Sequence, residues 1–374
     1  MRKQKNTVII GAGPIGCYLG QLLQREGIRP LLIEEHKEIG KPVHCAGLVG
    51  KKVFEETKIP ISQDCILNTI NGAVIYIGKN KIPLRRKEVA YVIDRERFDK
   101  KLGENLDIMF DNRFLGLEKK DKSYLIETDK GCLEADIVVA AEGAKSTLRD
   151  FISPNHMEYL KGVQFRMQLR PRYSDMVEVY VKRPYFYWII PESAEIIRVG
   201  VLSKNPYQDL LDFVKEINLK GKILEKFAGL VPLTHFNSLS KERLFLVGDS
   251  ASQVKPLTYG GIYMGMRAAE ILCECIMNER FNDYDSLWTK KFGKEIGIAL
   301  KARNIFAKLA DNDIEKIFNF IKKKTDIIEK MGDFENHTTL LWEFLKSPDI
   351  SKDMLGIIFK IIKNSFDPIK IDVK

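Results

Sequence analysis

The segment Thr7-Val8-Ile9-Ile10-Gly11-Ala12-Gly13-Pro14-Ile15-Gly16 constrains the fold of this chain more than any other. Its apolar start reads as a short buried strand. Pro14 to Glu26 reads as a helix stopped by Gly27, and Leu31-Leu32-Ile33 as the next strand, which makes a βαβ unit. The turn has the spacing G-x-G-x-x-G. Gly11 permits the tight turn, Gly13 lets a pyrophosphate approach the backbone, and Gly16 lets the helix sit close to the strand. The helix N-terminus offers free N–H groups and a positive dipole to phosphate. Glu34 closes the second strand as a carboxylate for ribose hydroxyls. Strand, turn, helix, strand and acid in this order predict dinucleotide binding. The unit alone does not separate FAD from NAD.

A second segment separates them. Leu244-Phe245-Leu246-Val247 is a buried strand that runs into Gly248-Asp249. The carboxylate at the strand end suits the ribityl hydroxyls of FAD, which NAD lacks. Gly260-Gly261-Ile262 then opens a helix. A glycine pair there lets backbone N–H groups approach a flat ring edge and its developing negative charge. FAD is therefore the expected cofactor.

The 374 residues suffice for two or three packed regions, and 45% hydrophobic with 30% charged residues describes a globular chain. The net charge of +9 reads as solvated lysine faces or as attraction to anionic lipid. No recognition motif with interleaved aromatic platforms accompanies it, so nucleic acid is not an expected partner. No apolar run approaches the ~18–20 residues of a membrane span, and no secretory apolar region follows Met1-Arg2-Lys3-Gln4-Lys5. The expectation is a cytoplasmic chain, compatible with peripheral contact at a membrane. The six cysteines are scattered without zinc spacing, so no metal site is expected. Cys273 and Cys275, on a helix, read as core residues.

These features resemble the p-hydroxybenzoate hydroxylase superfamily of flavoproteins and, within it, the geranylgeranyl reductases, including digeranylgeranylglycerophospholipid reductases. The likeness covers roughly residues 5–300. Beyond the two segments above it rests on three stretches. Glu38-Ile39-Gly40-Lys41-Pro42-Val43-His44-Cys45-Ala46-Gly47 is similar to the reductases' loop beside the flavin ring. Asp94-Arg95-Glu96-Arg97-Phe98-Asp99 matches a segment whose arginine, here Arg95, contacts FAD in the family. Phe186-Tyr187-Trp188-Ile189-Ile190-Pro191 looks like the aromatic signature of the reductase substrate domain, an apolar wall suited to an isoprenoid. Departures are Ile190 where the family has Phe, Glu192 where Lys is common, and Glu142-Gly143 in place of Asp-Gly.

The resemblance implies an α/β FAD-binding Rossmann-like domain of the glutathione-reductase type, a strand-rich α+β substrate domain and a C-terminal helical region. The first takes residues 1–70, 95–150 and 236–300, the second 71–94 and 151–235, and the third 301–374. Around FAD it implies Gly11, Gly13, Ile15, Gly16, Glu34, Cys45, Ala46, Gly47, Arg95, Phe114, Asp249, Gly261 and Ile262. Cys45 is the candidate catalytic group. Phe186, Trp188, Pro191 and Tyr259 are the candidate substrate wall. The implied activity is saturation of isoprenoid C=C bonds in membrane-lipid precursors, with a prenylated lipid as substrate. Two other readings stand beside it: an FAD-dependent monooxygenase of an apolar or aromatic substrate, and a flavin electron carrier or lipid-binding protein without catalysis. No second G-x-G-x-x-G is evident, so the electron donor is open among ferredoxin, NAD(P)H and other reductants. The apolar, lysine-punctuated run 353–363 reads as a helix packed on the substrate domain or laid on anionic lipid.

Overall fold

The computed structural model describes residues 5–154, 157–236, 238–346 and 355–356. Apart from Leu355 and Gly356, the run 353–363 lies outside the described residues. The first strand, Thr7–Ile10, is buried along its whole length and pairs in parallel with Leu31–Ile33 on one side and Ile137–Ala140 on the other. A strand covered on both faces has no solvent side, which explains its continuous apolar run. Leu244–Leu246 and Asp107–Met109 extend this parallel sheet in either direction, and Ser240–Lys241 adds a short antiparallel edge. The chain leaves Thr7–Ile10 toward one neighbour and returns later on the other side. The crevice for a ligand in such a sheet lies beyond the carboxyl ends at that switch, here between Gly11 and Ala141.

The second sheet has eight strands, in the order Lys222–Pro232, Tyr159–Gln168, Ile196–Ser203, Tyr185–Pro191, Val177–Lys182, Ile66–Ile77, Asn80–Ile93 and Leu48–Gly50. All neighbours are antiparallel except Val177–Lys182 with Ile66–Ile77. Strand side chains alternate between faces. One face packs Phe165, Met167, Val199 and Val201 against Leu210 and Phe213 of the helix Pro206–Glu216. The other face is left to a cavity. A small sheet, Phe114–Lys119, Tyr124–Thr128 and Gly131–Ala135, completes the strands.

Helix Pro14–Arg25 packs on helix Ile262–Met277, and Cys273 and Cys275 are both buried there. Helices Tyr284–Lys308, Asp311–Lys322, Thr325–Met331 and Thr338–Leu345 close the described chain. Among the described residues no helix is long and apolar enough to cross a membrane.

Candidate functional site

One cavity of about 1100 Å3 runs from the carboxyl ends of the parallel sheet to the open face of the eight-stranded sheet. It exceeds the usual ~300–1,000 Å3 of a site for one drug-sized ligand. At its first end Gly11 takes a φ of +101°, and a Cβ there would stand 2.4 Å from the Ala141 carbonyl oxygen. A Cβ on Gly16 would stand 2.0 Å from the Gly11 carbonyl oxygen, so both glycines are required by backbone approach. Gly13 is different: a Cβ there meets nothing within 4 Å, because the position faces the cavity. Helix Pro14–Arg25 begins at Gly13 with no side-chain cap, leaving its first N–H groups to a ligand. Ile15 lines the cavity and fills the approach to Gly248 and Gly265. Glu34 is buried and accepts from the Ala12 N–H at 2.8 Å and the His36 N–H at 3.0 Å. Phe114 lines the same end.

In the middle stand Asp249, Arg95 and the loop carrying Cys45 and Ala46, all lining the cavity. Arg95 forms a forked pair with Asp99, at 2.9 and 3.0 Å from Nη2 and 3.2 Å from Nε, and also touches the Cys45 thiol. Asp249 has no hydrogen-bond donor to its carboxylate among the described residues. Burial pushes its carboxyl up to about 6, against the pull of Arg95 and Arg149. Gly261 gives that carboxylate room: a Cβ there would lie 2.8 Å from Asp249 Oδ1. Gly261 and Ile262 bring the N-terminus of helix Ile262–Met277 to the cavity wall. Glu142, in the Asp-Gly position of the flavoprotein motif, turns its carboxylate onto its own loop, accepting from Ser146 Oγ and the Thr147 and Leu148 N–H groups. Gly47 and Gly16 do not line the cavity. They set the backbone behind it, Gly47 with a φ of +73° against Arg198.

The far end is apolar. Val177, Val179 and Val181 project into it from one strand, and Phe186, Trp188 and Ile190 from the next. Trp188 lies flat over Gly200 and donates from Nε1 to Gln164 Oε1 at 2.9 Å. Tyr259 stacks on Phe186 with centroids 5.9 Å apart. Pro191 is a correction. It stands one residue past Ile190, so alternation turns it away from the cavity; it is buried, and its carbonyl accepts from Asn68 Nδ2 at 2.8 Å. Ile321, Ile328, Leu340 and Phe344 of the C-terminal helices roof this end. Sequence reasoning did not name the roof, the valine row, Arg303 or the Glu192–Arg198 pair. The i, i+2, i+4 spacing of the valines is a signal that could have found that row.

An extended dinucleotide with a flat ring fits these residues. The open space at Gly13 admits phosphate, the free Asp249 carboxylate awaits hydroxyl donors, and the cavity is continuous between them.

Known proteins agree with this reading. The family model described as FAD binding domain matches residues 4–47. An uncharacterized protein of Methanocaldococcus jannaschii is 32% identical over 97% of this chain and 99% of its own length. Digeranylgeranylglycerophospholipid reductase 1 of Methanococcoides burtonii is 29% identical over 91% of this chain and 95% of its own. The fold is shared with a geranylgeranyl bacteriochlorophyll reductase-like protein of Thermoplasma acidophilum, with a TM-score of 0.74, 22% identity, and 96% and 97% of the two chains covered. The chain belongs to the geranylgeranyl reductase family and is an FAD-dependent oxidoreductase.

Proposed function

We propose that this chain saturates carbon–carbon double bonds in the geranylgeranyl chains of a glycerophospholipid. The observation that carries the reading is the single cavity in which a dinucleotide end continues into a long apolar arm, walled by Val177, Val179, Trp188 and Phe186. Bound FAD, when reduced, supplies the hydride that such a bond takes up at one carbon. Everything else falls to the chain. Gly11, Gly13 and the first turn of helix Pro14–Arg25 take the pyrophosphate, Glu34 the ribose hydroxyls and Asp249 the ribityl hydroxyls. Arg95, Ala46 and the Gly261–Ile262 turn border the ring. Phe186, Trp188 and Tyr259 hold an alkene in place. An unactivated alkene polarises poorly, so placement must supply much of the rate. The apolar roof excludes water. The second carbon takes a proton from water or from Cys45, which then recovers one from solvent.

The test is anaerobic. FAD-loaded protein, reduced with dithionite and given a digeranylgeranylglycerophospholipid, should return the oxidised flavin spectrum and yield lipid heavier by two hydrogens per bond saturated. Reduced protein that leaves every prenyl lipid unchanged would sink the reading.

A second expectation concerns Asp249. An ionised carboxylate accepts hydroxyl hydrogen bonds more strongly than a protonated one, and burial holds this group up at about 6. FAD binding stabilises the ionised form. Affinity should therefore be constant above that value and fall by roughly tenfold per pH unit below it. Asp249→Asn should bind FAD more weakly at neutral pH and lose the acidic dependence. Flavin fluorescence titrations from about pH 8 to about pH 5 read both. An equal slope in wild type and variant would remove Asp249 from the contact.

A further inference from the structure

Arg303 lies on helix Tyr284–Lys308, half-buried, and lines the apolar arm of the cavity. Its guanidinium touches the Tyr259 hydroxyl, and Tyr259 stacks on Phe186. No Asp or Glu among the described residues pairs with it. Of the other cations in this cavity wall, Lys255 pairs with Glu335 at 2.8 Å, Arg85 with Asp175 at 3.3 Å, Arg95 with Asp99 and Lys41 with Glu38, and Arg86 donates to the Gly332 carbonyl, while Arg113 and Lys145 line it with no ion pair among the described residues. The polar group behind Arg303 is His235, whose ring is held neutral, pushed down to about 4 by burial and then by Arg303 itself. Arg303 thus brings a positive charge without an acidic partner among the described residues to an apolar stretch of the wall.

The cavity reaches the surface beside this charge. Pro184 and Thr258 line it and are exposed. Arg183 donates to the Leu309 carbonyl and to Asp311, which ties the hairpin bearing Pro184 to the end of the Arg303 helix. These contacts join the two sides of the mouth into one rim. Partly desolvating a guanidinium at such a rim is costly unless an anion meets it. A ligand that fits has an apolar body to fill the arm and an anionic end to stop at the rim. The guanidinium fork matches the oxygens of a phosphate.

We propose that Arg303, with the Tyr259 hydroxyl beside it, is the subsite for the phosphate head group of the lipid, and that it fixes how far each prenyl chain runs in toward the flavin end. This rests on the reading given under Proposed function. A positioning role of this kind selects among lipids by charge and leaves uncharged prenyl compounds alone.

The experiment compares FAD-loaded wild type, Arg303→Met and Arg303→Lys on a digeranylgeranylglycerophospholipid and on uncharged digeranylgeranylglycerol. Arg303→Met should lose on the order of tenfold to a hundredfold in kcat/KM on the phospholipid. The lysine variant should recover part of it, and the uncharged lipid should be turned over equally by all three. Equal losses on both lipids would mean a structural role and overturn the subsite. Weakened FAD binding in Arg303→Met would give the guanidinium to the cofactor and also overturn it. Binding of geranylgeranyl phosphate against geranylgeraniol, followed by flavin fluorescence, needs no turnover. There the phosphate should be preferred by wild type and not by Arg303→Met. Absence of that preference overturns the subsite. If the preference is present while wild type reduces no lipid, the proposed reaction fails and the subsite stands. Inorganic phosphate should show no preference for wild type over Arg303→Met; phosphate binding as tight as the lipid phosphate would assign a free-anion site instead.

Discussion

Glu192→Ala should destabilise the protein by about 3–5 kcal/mol, the range seen when one partner of a buried ion pair is removed. Glu192 is 4% exposed and sits between two guanidiniums. It accepts from Arg166 Nε at 2.8 Å and Nη2 at 2.7 Å, and from Arg198 Nε at 2.7 Å. Arg198 is itself buried and carries the connection onward, donating to the Ala46 carbonyl at 2.8 Å and the Ile93 carbonyl at 3.2 Å. Loss of the carboxylate strands Arg198 without its counter-charge behind the Cys45 loop. The urea midpoint should fall with an unchanged slope, and amide exchange should rise at residues 44–47. Burial works against the ionised carboxyl, but the two arginines win and hold it below its ordinary value. Its stabilisation is therefore present above the unfolded value of about 4.3 and lost as pH falls through the lower folded one. The gap between wild type and variant should shrink in strong acid. A penalty under about 1 kcal/mol at neutral pH would show the triad to be solvated like a surface pair.

Glu192 also shows where sequence reading stops. In the sequence it stands only as a departure from the lysine common in the reductases. Its meaning depends on Arg166 and Arg198, which lie on two neighbouring strands of one sheet. A lysine there would set a third positive charge against two guanidiniums. Such a match crosses strands whose register no local pattern reveals. By contrast, the first βαβ unit was legible because its constraints are local: a buried strand, glycines at fixed spacing, an acid at the next strand end. Trp188 and Phe186 were legible through an aromatic run, whereas Pro191 in the same run was not, because alternation decides facing residue by residue. Arg303 and the roof carry no motif. They reach the cavity only because the C-terminal helices fold back over the second sheet.

The glycine turn, finally, separates folding from cofactor binding within four residues. Gly16→Val should cost more than about 4 kcal/mol, because its Cβ would meet the Gly11 carbonyl oxygen at 2.0 Å and the Ala141 Cβ at 3.1 Å. Both obstacles belong to the parallel sheet and its following turn, so the helix would have to leave the strand. Gly13→Val should fold. Gly13 has an extended backbone, φ −69° and ψ 178°, which valine adopts, and nothing stands within 4 Å of its Cβ. The loss of a glycine cap there costs on the order of 1 kcal/mol or less. The methyl groups instead fill the space through which a pyrophosphate approaches the helix N-terminus. FAD affinity should fall on the order of a hundredfold or more, which is about 2.7 kcal/mol, while the apoprotein melts near wild type. Flavin content after purification and the melting temperature of the apoprotein read the two effects separately. A Gly13→Val protein that purifies with a full complement of FAD would show that the phosphates lie elsewhere in the cavity.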